Sequence, residues 1–276
     1  MYTLNCRGRL LALEQPVVMG ILNITPDSFY SDSRVPKAAQ WRAKAQQMIA
    51  EGAVILDVGG QSTRPGSERV PADEEAKRVV PSISALRQEF PDVFLSVDTY
   101  YAAVAKAAVE AGADLVNDVS AGKLDPAMLT TVAALGVPYI AMHMKGRPET
   151  MQQEARYSDV TQDVFEYLAK KVIECHEAGI NDLVVDPGFG FAKTMEQNYR
   201  LLQQLDVFAA LGVPLLAGLS RKSMIWKLLD TSPEAALNGS TVLHTIALLK
   251  GARILRVHDV REAVETVRLI HAVQQA

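Results

Sequence analysis

One pattern occurs eight times along the sequence: a short apolar run, a polar residue at its end, a loop rich in glycine, proline and aspartate, and an amphipathic stretch. Alternating strand and helix patterns of this kind are typical of a parallel sheet. Eight such units in about 250 residues indicate a closed barrel more than an open sheet. An open dinucleotide-binding sheet would be favoured by a GxGxxG turn after the first strand, and none is present.

We therefore predict a protein of the α/β class with a (β/α)8 TIM barrel as its fold. The barrel is expected to form a single domain over residues 17–276. Residues 1–16 are interpreted as a short N-terminal lead-in, and a hairpin covering one end of the domain is one interpretation of it.

The composition of the 276 residues limits the classes of function. Hydrophobic residues make up 49% and charged residues 22%, which is ordinary for a globular protein with a sizeable core. A net charge of −4 gives no basic surface for nucleic acid. Cys6 and Cys175 have no metal or redox spacing, and no apolar run reaches the roughly 20 residues that span a bilayer. We expect a cytoplasmic protein with neither nucleic acid nor membrane as a partner.

The stretch 183–193, LVVDPGFGFAK, shows the repeated pattern most clearly. Its apolar run ends on Asp186, and Gly188 and Gly190 then allow the backbone to approach a ligand closely. An acid at the end of a buried strand, followed by a glycine-aromatic loop, predicts a site for a flat ligand that forms hydrogen bonds. The alternative is that Asp186 only caps the next turn.

Polar residues recur at or just past the predicted strand ends. They are Asn23, Asp57, Asp98, Asn117, Asp186, Lys222, Arg256 and His258. Because the carboxyl ends of all strands in a barrel meet at one face, these side chains are expected to converge. Helix capping explains any one of them, but caps are more often Ser or Thr and do not include Lys, Arg and His.

The converging residues divide into two chemical sets. Asp98, Asn117 and Asp186 offer acceptors, and the amide adds donors, which suits the edge of an amino-pyrimidinone heterocycle. The second set offers positive charge and hydroxyl groups, which suit an anion. Its members are Arg64, Lys222, Arg256 and His258, with hydroxyls from Thr63 and Ser220. Asn23 supplies a neutral oxygen that suits Mg²⁺ beside phosphate oxygens and waters.

Other features of the sequence have weaker functional interpretations. Ser220 stands in no GxSxG elbow and has no evident base, which argues against a serine nucleophile. His143 and His258 are too far apart for an HExxH-type zinc site. Two long loops, 25–33 and 59–66, are rich in Gly, Ser and Pro and are interpreted as lids, with plain surface connections as the alternative.

The motifs at these strand ends closely resemble those of the dihydropteroate synthases, the folate-pathway enzymes of the pterin-binding family. The resemblance runs from Met19 to about Ala272. It is carried by GILNITPDSF (20–29), DVGGQSTRPG (57–66), SVDT (96–99), ND (117–118), MHM (142–144), DPGFGF (186–191), GLSRKS (218–223) and RVHD (256–259). Members of the family are (β/α)8 barrels and usually homodimers. They condense 6-hydroxymethyl-7,8-dihydropterin pyrophosphate with p-aminobenzoate and release pyrophosphate.

The resemblance also implies a role for each matched residue. The pterin-binding residues it implies are Asp98, Asn117, Met142, Asp186, Lys222 and Arg256. The p-aminobenzoate-binding residues are Thr63, Arg64, Pro65, Phe191, Gly218 and Ser220. The pyrophosphate-binding residues are Asn23, Thr63, Arg64, Arg256 and His258, with Mg²⁺ as a cofactor on Asn23. The residues expected to act in the reaction are Asp98, Arg64, Lys222, Arg256 and His258. Sulfonamides, which resemble the amine substrate, are the expected inhibitors.

The chain departs from the family pattern at two places. Gln61 stands where the family usually has Glu, so a lid contact that depends on charge is in doubt there. After Phe29 the chain continues Tyr-Ser-Asp-Ser, whereas the family commonly continues Ser-Asp-Gly. Both Asp27 and Asp32 therefore stay open as the acid of that lid.

Two other functions are kept as alternatives. A pterin-dependent methyltransferase shares the pterin residues. It binds no such anion, so it has no need for the cations Arg64, Lys222 and Arg256. A non-catalytic pterin-binding protein would lack these anion-binding cations.

In the expected reaction, pyrophosphate leaves the pterin methylene and the aryl amine captures the resulting pterin cation. Preorganised cations would stabilise the leaving group, and carboxylates would stabilise the pterin cation.

Overall fold

The structure is a computed structural model that describes residues 2–24, 37–61, 69–147 and 150–276. The residues between these ranges include most of both expected lid loops. The sequence-predicted site residues Thr63, Arg64 and Pro65, and the two candidate lid acids, Asp27 and Asp32, therefore lie outside the described residues.

The described ranges contain ten strands, nine α-helices and two short 3-10 helices. The strands are β1 (Thr3–Cys6), β2 (Arg9–Ala12), β3 (Val17–Asn23), β4 (Ile55–Gly59), β5 (Phe94–Asp98), β6 (Leu115–Asp118), β7 (Tyr139–Met142), β8 (Leu183–Asp186), β9 (Leu216–Ala217) and β10 (Ile254–Val257). The α-helices are α1 (Lys37–Ala50), α2 (Ala72–Glu89), α3 (Ala102–Glu110), α4 (Met128–Leu135), α5 (Val160–Glu177), α6 (Met195–Gln203), α7 (Ser223–Trp226), α8 (Leu237–Leu249) and α9 (Val260–Gln275). The 3-10 helices are Met151–Glu154 and Leu205–Leu211.

Strands β3 to β10 form the barrel. Their order is β8-β7-β6-β5-β4-β3-β10-β9, and every neighbouring pair is parallel. A parallel bridge between Val185 of β8 and Leu215, just before β9, joins the two ends of this row. The strands are short apolar runs because helices cover the outside of the sheet and side chains fill the inside. The predicted (β/α)8 TIM barrel is confirmed.

The amino end of the barrel is filled by apolar side chains, one from each of seven strands. They are Met19, Ile55, Leu115, Ile140, Val184, Leu216 and Ile254, all buried, with Phe94 of β5 packed beside them. The antiparallel hairpin of β1 and β2 covers this ring with Leu4, Cys6, Leu11 and Leu13. Within the described ranges, the base of the barrel is thus a packed core, and the opposite end is the place to look for a ligand site.

Strand register brings polar side chains to one level at the carboxyl end, which we call the barrel mouth. Asn23 pairs with Gly59, Gly59 with Asp98, and Asp98 with Asn117. On the other side of the barrel, Met142 pairs with Asp186. Residues separated by tens of positions in the sequence therefore become neighbours.

Local signals explain where several helices begin and end. The side chain of Asp159 accepts hydrogen bonds from the first turn of α5, and Thr194 forms a capping box at the start of α6. The sequence predicts one helix over 195–211, but Gln204 has non-helical dihedrals and divides it into α6 and a 3-10 helix. The sequence also predicts a strand over 214–219, of which the structure forms only β9. No pattern in the sequence predicts the single-turn helix α7.

Candidate active site

Arg256 lies at the centre of the barrel mouth, between two carboxylates. Its Nε donates to Asp57 Oδ2 at 2.6 Å, and its Nη2 donates to Asp98 Oδ2 at 2.5 Å. Asn117 Nδ2 donates to the same Asp57 oxygen at 3.0 Å. One guanidinium thus connects strands β4, β5 and β10, and the amide of β6 completes the group.

The second oxygen of each carboxylate takes no part in these hydrogen bonds. Asp57 Oδ1 and Asp98 Oδ1 are buried and have no hydrogen-bond partner among the described residues. Buried acceptors are normally paired, because leaving one unpaired costs free energy. The mouth therefore suits a ligand that brings N–H donors.

Burial also governs the charges of this group. Burial raises the pKa of Asp98, and the guanidinium of Arg256 opposes that rise. Burial lowers the pKa of Arg256, but the carboxylates of Asp57 and Asp98 outweigh it and the net shift is upward. Arg256 therefore stays charged between the two acids.

The amide oxygen of Asn23 borders the same group. A Cβ built on Gly59 would lie 3.3 Å from Asn23 Oδ1 and 3.6 Å from Asp98 Cβ. Glycine at this position therefore leaves the two polar side chains side by side. The described ranges contain no cluster of three or more His, Cys, Asp or Glu residues that could hold a metal ion. A cation here would need most of its ligands from water and substrate.

Asp186 and Lys222 border a second part of the mouth, next to Gly218. A Cβ on Gly218 would lie 3.7 Å from Lys222 Nζ and 3.8 Å from Asp186 Oδ2. Lys222 Nζ donates to the carbonyl of Phe189 and lies 5.0 Å from the ring centroid of Phe191. An acceptor, a cation and an aromatic face are thus close together, which suits a planar heterocycle.

The proton affinities of this pair shift in opposite directions. Burial raises the pKa of Asp186, and Lys222 is the strongest influence against that rise. Burial lowers the pKa of Lys222 to about 8, and Asp186 opposes this shift. Each group therefore helps to keep the other charged near neutral pH.

The loops after β9 and β10 are tied to each other. Ser220 Oγ accepts the backbone N–H of His258 at 3.1 Å, and His258 Nδ1 lies 3.2 Å from the same oxygen. Arg221 has a left-handed backbone, with φ of 54°, and its Nε donates to Asp259 Oδ2 at 2.8 Å. These contacts fix the positions of Ser220 and His258 at the rim.

Met142 forms a wall of the mouth and is 3% exposed. It packs in a small apolar cluster separate from the main core. The other buried members are Tyr100, Val119, Met144, Met151 and Ala192, with Phe191 packed against them. Methionine suits such a wall because its thioether is polarizable and adapts to an aromatic face.

Within the described ranges, the structure places the sequence-predicted site residues at the mouth. They are Asn23, Asp98, Asn117, Met142, Asp186, Phe191, Gly218, Ser220, Lys222, Arg256 and His258. Asp57 was expected to converge with them but was assigned no chemical role, and it anchors Arg256. No role was predicted for the buried Lys193. In the sequence Asp57 follows the apolar run 53–56, and that position was the available signal, although β4 continues to Gly59; nothing marked Lys193.

Gln61 belongs to a buried network behind the mouth. Its Nε2 donates to Glu75 Oε2 at 2.6 Å, and its Oε1 accepts from Tyr100 Oη at 3.0 Å. Burial raises the pKa of Glu75 to about 8. A glutamate at position 61 would place a second carboxyl against Glu75, and the two would have to share a proton. With Gln61, a neutral amide occupies that place.

We expect Glu75 to make the stability of the protein fall as pH rises. Its folded pKa, about 8, lies above the ordinary value of 4.5, so the folded state binds the proton more tightly. Its contribution is complete below about pH 4.5 and is lost as pH rises to about 8, at about 1.4 kcal/mol for each pH unit. Glu75→Gln should flatten the pH dependence of the unfolding free energy, measured by urea denaturation between pH 5 and 8.

The exposed neighbour Glu74 provides the matched control for this measurement. Glu74→Gln also removes one carboxyl from the first turn of α2, but its side chain is 48% exposed and pairs with Lys77. This variant should keep the parent slope. Equal slopes for the parent and Glu75→Gln would contradict the assignment of a protonated Glu75.

Comparisons with known proteins show which family this chain is similar to. The profile of the family described as pterin binding enzyme matches residues 19–258. The dihydropteroate synthase of Escherichia coli strain K12 is 43% identical over 272 residues, which cover 98% of this chain and 96% of that protein.

Solved structures of dihydropteroate synthases share the fold over almost their whole length. The Yersinia pestis enzyme in a sulfonamide drug complex superposes with a TM-score of 0.94 at 43% identity, covering 100% of both chains. The Xanthomonas albilineans enzyme with 4-aminobenzoic acid gives 0.93 at 42% identity, covering 99% of this chain and 98% of that one. The same enzyme with 7,8-dihydropteroate gives 0.91 at 40% identity, with 100% of both chains covered.

Proposed function

The chain belongs to the pterin-binding enzyme family, and on that premise we propose that its barrel mouth carries out the dihydropteroate synthase reaction. This transferase condenses 6-hydroxymethyl-7,8-dihydropterin pyrophosphate with p-aminobenzoate, giving 7,8-dihydropteroate and pyrophosphate. The observation that carries the proposal is Arg256 between Asp57 and Asp98, whose second oxygens lack partners among the described residues. Such a group presents acceptors to a heterocycle and a cation to its leaving group.

The pterin ring is proposed to lie between Asp98 and Asp186. Both carboxylates accept N–H groups from the ring, and Asn117 adds a donor and an acceptor. Met142 and the stem of Arg256 cover the faces of the ring, and Lys222 donates to its carbonyl edge. The buried oxygens that lack partners among the described residues, Asp57 Oδ1 and Asp98 Oδ1, support this orientation.

The anion and amine sites are proposed at the rim of the mouth. Arg256 and His258 bind the pyrophosphate, together with Asn23. Phe191, Gly218 and Ser220 shape the p-aminobenzoate site, and sulfonamides compete for it. Thr63, Arg64 and Pro65 are proposed to complete both sites from the part of the chain that lies outside the described residues.

No side chain needs to attack the substrate in this reaction. The bond from the pterin methylene carbon to oxygen breaks, and pyrophosphate leaves with the electron pair. The amine nitrogen then forms the new bond to that carbon and gives up a proton to solvent. Arg256 and Lys222 stabilise the charge that grows on the leaving group, while Asp98 and Asp186 stabilise the cationic pterin.

Mg²⁺ is the proposed cofactor, with Asn23 as its protein ligand. The residues fit this ion, because Asn23 offers a neutral oxygen beside Asp98. Magnesium often keeps several waters and uses few protein ligands when phosphate oxygens are present. When bound, it would supply positive charge that neutralises the pyrophosphate oxygens.

Chelation of the metal should therefore slow the condensation strongly. With EDTA in excess, we expect the rate of pyrophosphate release to fall at least about tenfold, because the leaving group loses a neutralising charge. EDTA saturated beforehand with Mg²⁺ serves as the control and should have no effect. A rate that EDTA leaves untouched would show that the metal assignment is wrong.

Pyrophosphate release with both substrates tests the proposed function directly. We expect release that depends on the dihydropterin pyrophosphate and on p-aminobenzoate, with stoichiometric formation of dihydropteroate. Omitting either substrate is the control. A pterin-dependent methyltransferase would release no pyrophosphate, and a non-catalytic binding protein would bind the pterin without turnover; either result would overturn the proposal.

Assembly and compartment are further parts of the proposal. A homodimer is proposed from the resemblance to the family. Three apolar side chains on the outer surface near α6 and α7 would suit an interface between subunits: Met195, Leu228 and Leu229 are 39%, 54% and 55% exposed. No helix in the described ranges is long and apolar enough to cross a membrane. Cys6 and Cys175 are free and buried, which supports a reducing, cytoplasmic environment.

A further inference from the structure

The loop that follows β8 has an unusual backbone. Gly188, Gly190 and Ala192 all adopt left-handed conformations, with φ of 71°, 80° and 50°. A Cβ on Gly188 would lie 2.1 Å from the carbonyl oxygen of His143, so the loop presses directly on the end of β7. Left-handed backbone is disfavoured at Ala192, since alanine carries a Cβ. Something outside the backbone must therefore stabilise this shape.

Lys193 supplies that stabilisation from behind the loop. Its side chain is buried, with the residue 3% exposed. Its Nζ lies 2.9 Å from the carbonyl oxygen of Gly188, 3.1 Å from that of Phe191, and 3.0 Å from His143 Nδ1. Burial lowers the pKa of His143 far below its usual range, so the ring is neutral, and in its Nε2–H tautomer Nδ1 can accept a hydrogen bond.

These three acceptors match an ammonium group. An ammonium has three donors, and each finds one acceptor here. A neutral amine has two donors, so it would satisfy the same partners only if His143 took its other tautomer and donated from Nδ1. Burial lowers the pKa of Lys193 well below its usual value, and the carboxylate of Asp186 opposes that shift. With His143 as the Nε2–H tautomer, the three acceptors match the charged form.

The loop is held from both sides by lysines. Lys222 binds the carbonyl of Phe189 on the side of the mouth, while Lys193 binds the carbonyls of Gly188 and Phe191 on the far side. Left-handed residues alternate along this loop, at 188, 190 and 192, and they turn its carbonyls to opposite sides. The loop begins at Asp186, whose Oδ1 accepts the N–H of Gly188 at 2.7 Å.

We propose that Lys193 is a positioning residue for the pterin site: its ammonium fixes the loop 186–193 and keeps Asp186 oriented and ionised for the ring. The inference deepens the proposed function and rests on it for the identity of the ligand. Lys193 touches no substrate, because it lies behind the loop. Its contribution passes through the backbone of Gly188 and through its charge.

A change in the pH dependence of pterin binding follows from this role. Burial raises the pKa of Asp186, and the positive groups facing it are Lys222, Arg256 and Lys193. Removing one of these charges raises the pKa of Asp186 further. Binding that needs the carboxylate is lost as pH falls, so without Lys193 it should be lost at a higher pH. If Lys193 acted only through packing, its removal would not change the pH at which pterin binding is lost.

Calorimetric titration of 6-hydroxymethylpterin tests the inference in the Lys193→Met protein. We expect affinity to fall about tenfold or more at neutral pH, since buried carbonyls lose their donor. We also expect the acidic limb of the binding profile, where affinity falls as pH decreases, to move to higher pH. Lys171→Met is the matched control. It also removes a buried lysine, 9% exposed, but from the outer helix α5, where that lysine pairs with Glu174. It should bind the pterin as the parent does.

His143→Leu provides a second variant if Lys193→Met does not fold. It keeps the ammonium and removes one of its three acceptors, so we expect a several-fold loss of pterin affinity. Unchanged affinity in both variants, or a loss without any movement of the acidic limb in Lys193→Met, would overturn the inference. Failure of the proposed function would look different: the parent would bind the pterin without releasing pyrophosphate.

Discussion

Asp186→Ala should abolish measurable pterin binding while the barrel stays folded. Losing a charged acceptor to a buried ring costs about 2–4 kcal/mol, which corresponds to about 30- to 1,000-fold in affinity. The fold should survive because burial raises the pKa of this carboxyl, so the ionised group is costly to bury. Calorimetry with 6-hydroxymethylpterin measures the affinity, and thermal unfolding measures the stability.

Asp186→Asn separates the charge of this residue from its hydrogen bonding. The amide oxygen can still accept the N–H of Gly188, which now goes to Asp186 Oδ1 at 2.7 Å. The negative charge opposite Lys222 and the ring is lost. We expect this variant to keep the loop in place and still bind pterin poorly. If either variant bound the pterin as tightly as the parent, Asp186 would not be a pterin ligand.

Arg256→Met should have the largest effect on both turnover and stability. The variant loses the cation proposed for the leaving group, for which we expect at least about a 10²- to 10³-fold fall in kcat/KM. It also leaves Asp57 and Asp98 buried without their shared partner. Removing one member of a buried ion pair costs about 3–5 kcal/mol. Pyrophosphate release and urea denaturation measure the two effects.

Acid should partly rescue the stability of Arg256→Met. Burial already raises the pKa of Asp98, and losing the guanidinium raises it further. A folded pKa above the unfolded value means that stability is regained as pH falls through it. Adding Asp98→Asn removes one unpaired carboxyl and should recover stability but not turnover. A variant as stable as the parent at every pH would contradict a structural role for this ion pair.

The sequence predicted the elements of the site better than their contacts. Strand ends could be placed because each apolar run stops at a polar residue, and a barrel brings all strand ends together. This was enough to find Asp98, Asp186 and Arg256. The pairing of Arg256 with Asp57, 199 residues away, depends on strand register and side-chain length, which local patterns do not encode.

Other features depend on tertiary contacts that the sequence does not mark. Lys193 follows a loop and looks like an ordinary surface lysine, yet the fold buries it. Gln61 stood out only as a departure from the family pattern, and its partner Glu75 lies in a helix that begins several residues later. The break between α6 and the following 3-10 helix arises at Gln204, which carries no helix-breaking signal of its own.

The hairpin over the base gives the two ends of the barrel different freedom to vary. At the base, Met19 and Ile254 belong to a ring whose requirements are shape and apolar volume, and exchanges among aliphatic residues can satisfy them. At the mouth, Asn23 lies four residues after Met19 on the same strand. Its role depends on charge and on the geometry of hydrogen bonds, and few other side chains can replace it. Substitutions in the apolar ring at the base can therefore change the thermal stability of the protein without changing the chemistry at the mouth, although both ends share the same strands.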